Sequence, residues 1–358
     1  MVPSSHVADA VAARLDVFIA RILDGSTEYG PDATLFLDAA AATLHGGKRL
    51  RARFCHAGWL AAGGPEHGTD ALWGLGAALE VFQSAALVHD DLIDNSDTRR
   101  GRPAAHRALE SLHRDAGWQG DAESFGRSSA VLLGDLLVAW SDDMLEAALA
   151  EHPHAAMTRE EYARMRRDVT VGQMLDITEE SAWSTAPADT LLDRALRVAS
   201  FKSARYSVEQ PLVLGASLAG ADPATLAALR GFGHPVGMAF QLRDDVLGVF
   251  GDPAVTGKPA GDDLREGKRT ALIAIARGRL SDADRATLDA AIGDAGLSPT
   301  EVTALQQLVR DTGALERVEE MIDDYSAQAE TALTGSALSG TAIDQLRELA
   351  SAAVARRA

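Results

Sequence analysis

Apolar residues recur at three- and four-residue intervals through most of the chain, while sustained alternation of Val, Ile, Thr and aromatic residues is hard to find. The pattern predicts an all-α protein. Candidate helices span about 8–23, 32–44, 48–62, 70–95, 103–114, 125–150, 159–180, 188–208, 223–249, 270–293, 299–311 and 313–333, with a last one running to the C-terminus. Start signals agree with this reading. Ser298-Pro299-Thr300-Glu301 combines a capping box with proline at the first helical position, Thr158-Arg159-Glu160-Glu161 reads as another capping box, and Asp222-Pro223 opens a long apolar-periodic stretch. Residues 114–124 and 251–268 read as loops, and no internal repeat of about 20–50 residues is present.

Composition narrows the class. The 358 residues are 46% hydrophobic and 24% charged, which excludes general disorder and is enough for one large core or two ordinary ones. Lys and Arg number 34 against 52 Asp and Glu, a net charge of −18 that repels nucleic acid and anionic lipid, so no nucleic-acid partner is expected. The single Cys55 cannot form an intramolecular disulfide, and the opening MVPSSHVADAV has no basic start followed by an apolar core. No run approaches roughly 18 uninterrupted apolar residues, so the chain is not expected to be an integral membrane protein. A cytoplasmic location is the simplest expectation.

The acid is concentrated in two places. In LVHDDLIDNSDTRRGRP (87–103), Asp90 and Asp94 lie one turn apart on a helix with Asp91 about 100° round, above the apolar stripe of Leu79, Phe82 and Ala86. A merely solvated acidic face would not have apolar residues directly beneath it. In FQLRDDVLGVFGD (240–252), Gln241, Asp244 and Asp245 sit at i, i+3 and i+4. Such carboxylates suit Mg2+, which takes one or two of them and completes its octahedron with water and substrate phosphate. A calcium loop is a poor alternative, since no D-x-D-x-D-G pattern ends in glutamate. Cations complete the picture. Gly46-Gly47-Lys48-Arg49-Leu50-Arg51 offers backbone N–H groups and charge to phosphate, and Arg99, Arg100, Lys202, Lys258 and Lys268 are further cations in a chain short of them.

In this order, GGKRLR (46–51), DDLID with RRGRP (90–103), GQMLDI (172–177), FKSA (201–204), FQLRDD (240–245) and GKPAGDDLREGKRT (257–270) resemble the motifs of the trans-isoprenyl diphosphate synthases, the polyprenyl synthetase family, most of all its bacterial geranylgeranyl diphosphate synthases. The resemblance covers nearly the whole chain. It implies one domain over 1–358: a large antiparallel helical bundle around a deep central cavity, usually a homodimer. It also implies Mg2+-dependent head-to-tail condensation of isopentenyl diphosphate with an allylic diphosphate, with three Mg2+ per active site. Asp90 and Asp94, supported by Asp91, resemble ligands of two ions, and Asp244, beside Asp245, resembles the main ligand of a third. Arg99, Lys202, Ser203, Gln241, Lys258 and Lys268 correspond to contacts on the allylic diphosphate. Lys48, Arg51, Gln83 and Arg100 correspond to contacts on isopentenyl diphosphate. The released diphosphate then serves as base, and the dipoles of Gln173, Asp176 and Gln241 are placed to steady the passing cation.

Three positions depart from the family pattern. Gln83 stands where histidine is common and Ser203 where threonine is common; both still hydrogen-bond. Gly248 replaces a frequent third aspartate, leaving Asp244 and Asp245, helped by Asp252, and opening the alternative of a non-catalytic regulatory subunit of a heteromer. The intact first motif favours activity. For product length, the positions where bulky aromatics stop the chain near C15 in the family hold Ala85 and Ala86, and Phe82 one turn deeper points to C20, geranylgeranyl diphosphate; a farnesyl or longer product is the alternative, with another helix setting the limit. A terpene cyclase would lack the GGKRLR segment and the second aspartate pair, and a purely structural helical protein leaves the ordered motifs unexplained.

Overall fold

The apolar periodicity becomes helix along nearly the whole of the computed structural model, which describes residues 4–99, 101–252 and 261–354. The helices are α1 (Ser4–Asp24), α2 (Pro31–Thr43), α3 (Leu50–Ala61), α4 (Asp70–Ile93), α5 (Ala105–Asp115), α6 (Ala122–Leu149), α7 (Ala155–Ala182), α8 (Leu191–Val198), α9 (Gln210–Leu218), α10 (Pro223–Phe250), α11 (Asp262–Glu266), α12 (Ala271–Arg279), α13 (Asp282–Ala291), α14 (Pro299–Asp311), α15 (Ala314–Thr334) and α16 (Gly340–Val354). Among the described residues the strands are β1 (Thr98–Arg99) and β2 (Arg102–Pro103), paired antiparallel with Arg99 opposite Arg102. The all-α expectation holds.

Local chemistry explains most boundaries and several differences. Ser298 accepts from the Glu301 N–H while Glu301 reaches back to Ser298, and the Asp222 carboxylate accepts from Thr225 N–H at 2.8 Å. The expected capping box at Thr158 does not form: α7 begins at Ala155, and the Thr158 hydroxyl donates to the His154 carbonyl at 3.0 Å. The expected helix 270–293 is two helices, because Leu280 is extended and Ser281 starts a new one by capping Asp284 N–H. Residues 188–208 continue instead to Leu218, through a π-helical stretch at Ala199–Glu209. The expected loop 251–268 contains α11.

The chain forms two compact units, Met1–Thr158 with Leu214–Gly220, and Arg159–Val213 with Ala221–Ala358. In the first, α4 is the core helix: Leu75, Ala77, Ala78, Leu79 and Val81 have no exposure, and the small Ala77 and Ala78 admit close neighbours such as Ser141 of α6, which donates to Ala78 O at 2.8 Å. By length and composition α4 is also long and apolar enough to cross a membrane, with 72% of its most apolar window buried inside the protein. In the second, α10 packs against α15 and the π-helical stretch, with Leu242, Val246 and Val249 in a core shared with Leu264, Leu272 and Ile273.

Within the first unit, Gly215 meets the backbone of α3 so closely that a methyl group there would overlap the Cys55 carbonyl oxygen. Gly215→Ala is therefore expected to destabilise the protein by about 1–3 kcal/mol in denaturant unfolding, with an unchanged midpoint contradicting this packing.

Candidate active site

Thr69 caps α4 by accepting from Leu72 N–H at 3.3 Å, and 24 residues of apolar helix deliver Asp90, Asp91 and Asp94 to its C-terminal end. That end carries the negative pole of the helix dipole, so three carboxylates there are costly without cations. Arg99 supplies one. Its Nε donates to Asp91 Oδ1 at 2.7 Å, and its Nη2 reaches both Asp91 and Asp90, the latter at 3.4 Å. Asn95, left-handed at φ 53°, ends the helix, and its side chain accepts from Arg127 at 2.6 Å. Arg107 holds Asp97 at 2.6 Å. Below the aspartates, burial deepens down the stripe: Asp90 and Ala86 are half-buried, while Phe82 is 5% and Leu79 0% exposed. Ala85 beside them is fully buried.

The Gly46–Arg51 segment belongs to the same unit. Gly46 and Gly47 take φ of 79° and 86°, a geometry glycine adopts without strain, and they turn the chain into α3. Lys48 is exposed, and Arg51 and Gln83 are half-buried. Arg100 lies outside the described residues.

The second unit gathers the other motifs. Gly172 of α7 lies so near the Phe201–Lys202 backbone that any Cβ would overlap it, and this approach lets Asp176, one turn on, accept from Lys202 Nζ at 2.5 Å. Lys202 and half-buried Ser203 ride on the π-helical stretch, a form proteins rarely sustain beyond one turn. That stretch is held from its own unit: Ser200 Oγ lies 2.8 Å from His234 Nε2, Arg205 donates to Asp168 at 3.2 Å, and the Arg205 guanidinium covers the Phe201 ring at 4.0 Å. Glu180, beyond Asp176, titrates above the usual carboxylate range because desolvation and Asp176 outweigh Arg269, Lys202 and Lys268. Half-buried Gln173 completes the α7 motif.

On α10, Asp244 is exposed and Asp245 buried. The Gln241 amide donates to Asp245 Oδ1 at 2.7 Å, so Gln241 is engaged with the carboxylate. Burial, with Asp263 and Asp244 close by, pushes the Asp245 carboxyl well up, against the pull of Gln241 and Lys268. Lys268 lies 2.6 Å from Glu266 and 3.8 Å from Asp263. The sequence left one carboxylate unnoticed: Asp263 of α11 lies over Gly248, where any Cβ would overlap it. Asp252, by contrast, is exposed past the end of α10. Lys258 lies outside the described residues.

Among the described residues no three His, Cys, Asp or Glu side chains converge as a closed metal cage. Mg2+ needs none, since one or two carboxylates with water and phosphate suffice. The donor set fits it: oxygen ligands only, with Arg99 already drawn to Asp90 and Asp91, while Lys202 and Lys268 are held by the neighbouring acids Asp176, Asp263 and Glu266.

Residues 34–310 match the polyprenyl synthetase family. The chain belongs to that family. Membership makes it a trans-prenyltransferase. It is 34% identical over 278 residues to the geranylgeranyl diphosphate synthase of Mycobacterium tuberculosis, covering 77% of this chain and 71% of that one. It is 30% identical over 302 residues to the geranylfarnesyl diphosphate synthase of Aeropyrum pernix, covering 82% and 86%. The geranylgeranyl pyrophosphate synthase of Corynebacterium glutamicum, solved with isoprenyl diphosphate and magnesium, superposes with a TM-score of 0.92 at 40% identity over 98% of this chain and 99% of that one. The all-α isoprenoid synthase fold is thus shared with a family member, and Mg2+ is the metal of the family.

Because Asp263 fills the space above Gly248, Gly248→Asp should place two carboxylates in one buried position and lower stability by about 1–3 kcal/mol. Adding Asp263→Ala should restore much of the loss. Thermal unfolding of the single and double variants checks this, and equal midpoints for the two would contradict it.

Proposed function

We propose that the protein condenses isopentenyl diphosphate head-to-tail with an allylic diphosphate and releases geranylgeranyl diphosphate, C20. The observation that carries this reading is the α4 stripe: carboxylates at the helix end, the small Ala86 and Ala85 beneath, and buried Phe82 one turn lower. One turn is about 5.4 Å, close to one extended isoprene unit. Family membership and the geranylgeranyl synthases among its relatives support it. A longer product is the second reading, favoured by the geranylfarnesyl relative.

In this assignment Asp90 and Asp94, with Asp91 in support, and Asp244 beside Asp245 hold three Mg2+ ions. When bound, these ions neutralise the leaving diphosphate as the allylic C–O bond ionises, a charge effect worth several kcal/mol in a dry site. Arg99, Lys202, Ser203, Gln241, Lys258 and Lys268 bind the oxygens of the allylic diphosphate. Lys48, Arg51, Gln83 and Arg100 hold isopentenyl diphosphate so that its double bond faces the allylic carbon. Gln173 and Asp176 steady the carbocation by their dipoles. The proton lost from the new chain goes to the released diphosphate, so no side chain need act as base. Asp263 makes up the carboxylate that Gly248 lacks, which favours a catalytic chain over a regulatory subunit.

The two units together form one synthase domain in this reading, because the family match takes in parts of both. A homodimer is supported by exposed apolar side chains on each unit, Leu132 at 62% and Met174 at 60%. A cytoplasmic location accords with Cys55, a lone buried thiol that needs no oxidising compartment.

Purified protein with Mg2+ and isopentenyl diphosphate, offered C5, C10 and C15 allylic diphosphates separately, should give a C20 product from each, sized by chromatography. Absence of turnover with every starter would overturn this reading in favour of the regulatory subunit. Asp90→Ala and Asp94→Ala should each lower kcat by about 100-fold or more while the circular dichroism spectrum is kept. Ala86→Phe should shorten the product and Phe82→Ala lengthen it; unchanged lengths in both remove α4 as the ruler.

A further inference from the structure

Lys48, Arg49 and Arg51 look equivalent in the sequence, but the structure separates them. Lys48 is exposed and Arg51 half-buried, whereas Arg49 is 9% exposed. Arg49 also has φ 49° and ψ 43°, and with Asn95 it makes up the non-glycine residues at positive φ among those described. A long side chain enters that region only where its surroundings hold it there.

The holding groups come from the end of α2, from α3 and from α4. Arg49 Nη2 donates to the Leu44 carbonyl at 2.7 Å, closing the end of α2. Its Nη1 lies 3.8 Å from Glu80 Oε2 on α4, and the two side chains are 10% and 7% exposed. The other Glu80 oxygen accepts from the Ala52 N–H at 3.2 Å, in the first turn of α3. One turn along α4, Ser84 donates to the Thr43 carbonyl at 3.2 Å. Both ends of the 45–49 turn are therefore hung from one stretch of α4, the stretch that carries Gln83 and continues to Asp90. A buried pair of this kind is specific in geometry, because removing one partner leaves the other charge without compensation.

We propose that Arg49 and Glu80 form a brace that sets the isopentenyl diphosphate clamp, with Arg49 a positioning residue that does not touch phosphate. The inference rests on the clamp assigned above to Lys48 and Arg51. Arg49 keeps the turn left-handed, and this fixes where its neighbours Lys48 and Arg51 project relative to Gln83. Lysine cannot replace it, since a single ammonium does not offer the planar fork that spans the Leu44 carbonyl and the Glu80 carboxylate.

The test uses the full-length protein with Arg49→Lys, Glu80→Gln and, as a control, Lys48→Ala. Calorimetry gives the Kd for isopentenyl diphosphate, and steady-state kinetics give KM for both substrates. Arg49→Lys and Glu80→Gln are expected to raise Kd and KM for isopentenyl diphosphate by about tenfold, a difference of about 1.4 kcal/mol, with KM for the allylic diphosphate held within about twofold. A wild-type Kd in both variants, with Lys48→Ala still weakening binding, overturns the brace alone. A parallel rise of both KM values with a lowered melting temperature also overturns it, showing a purely structural pair. No effect of Lys48→Ala on Kd overturns the clamp and the brace together. Should Arg49→Lys fail to fold, Glu80→Gln decides, since glutamine keeps the volume and an oxygen for the Ala52 N–H.

Discussion

Carboxylates set at the ends of apolar helices demand counter-charge, and the arrangement of this chain follows from that demand. Asp90, Asp91 and Asp94 close α4 at the negative pole of its dipole, and Asp244 and Asp245 lie in the last two turns of α10; all but the exposed Asp244 are partly or wholly withdrawn from water. A chain with a net charge of −18 has few cations to spare, yet Arg99, Lys202 and Lys268 stand within reach of these or neighbouring acids. Apolar packing supplies the rigidity. The α4 core lacks exposure along a full face, so the carboxylates are fixed by burial many residues away from them.

Cation binding and backbone shape are coupled in the second unit. Lys202 meets Asp176 because Gly172 lets α7 touch the π-helical stretch, and that stretch is kept by Arg205, Asp168, Ser200 and His234. The contribution of these supporting groups is to hold the backbone that carries Lys202.

The helical class, the extent of α4 and the two acidic clusters were legible because each is written in local spacing: 70–95 expected, Asp70–Ile93 found. Caps were legible where a short side chain had no competitor, as at Ser298 and Asp222. Thr158 misled because its hydroxyl had a carbonyl within its own helix to bond, so the box residues lay inside α7. The π-helical stretch leaves no periodic signature, and the Leu280–Ser281 break interrupts an apolar pattern that continues on either side. The positions of Arg49 and Asp263 depend on partners far along the chain, Glu80 and Gly248, which spacing cannot report. A hint did exist for Asp263: a missing acid at 248 followed by an acidic pair at 262–263.

That exchange changes what the site depends on. A third aspartate on α10 would be carried by the same rigid helix as its neighbours and would keep its place whatever happened beyond Phe250. Here the carboxylate arrives from α11, whose place is set by its own packing: Leu264 is fully buried in the core it shares with α10, and its carbonyl accepts from the Gly293 N–H at 2.8 Å. A substitution that loosened Leu264 would therefore move an acid away from Asp245 without altering any residue of α10, giving a purely apolar contact a hold on the charge beside that carboxylate.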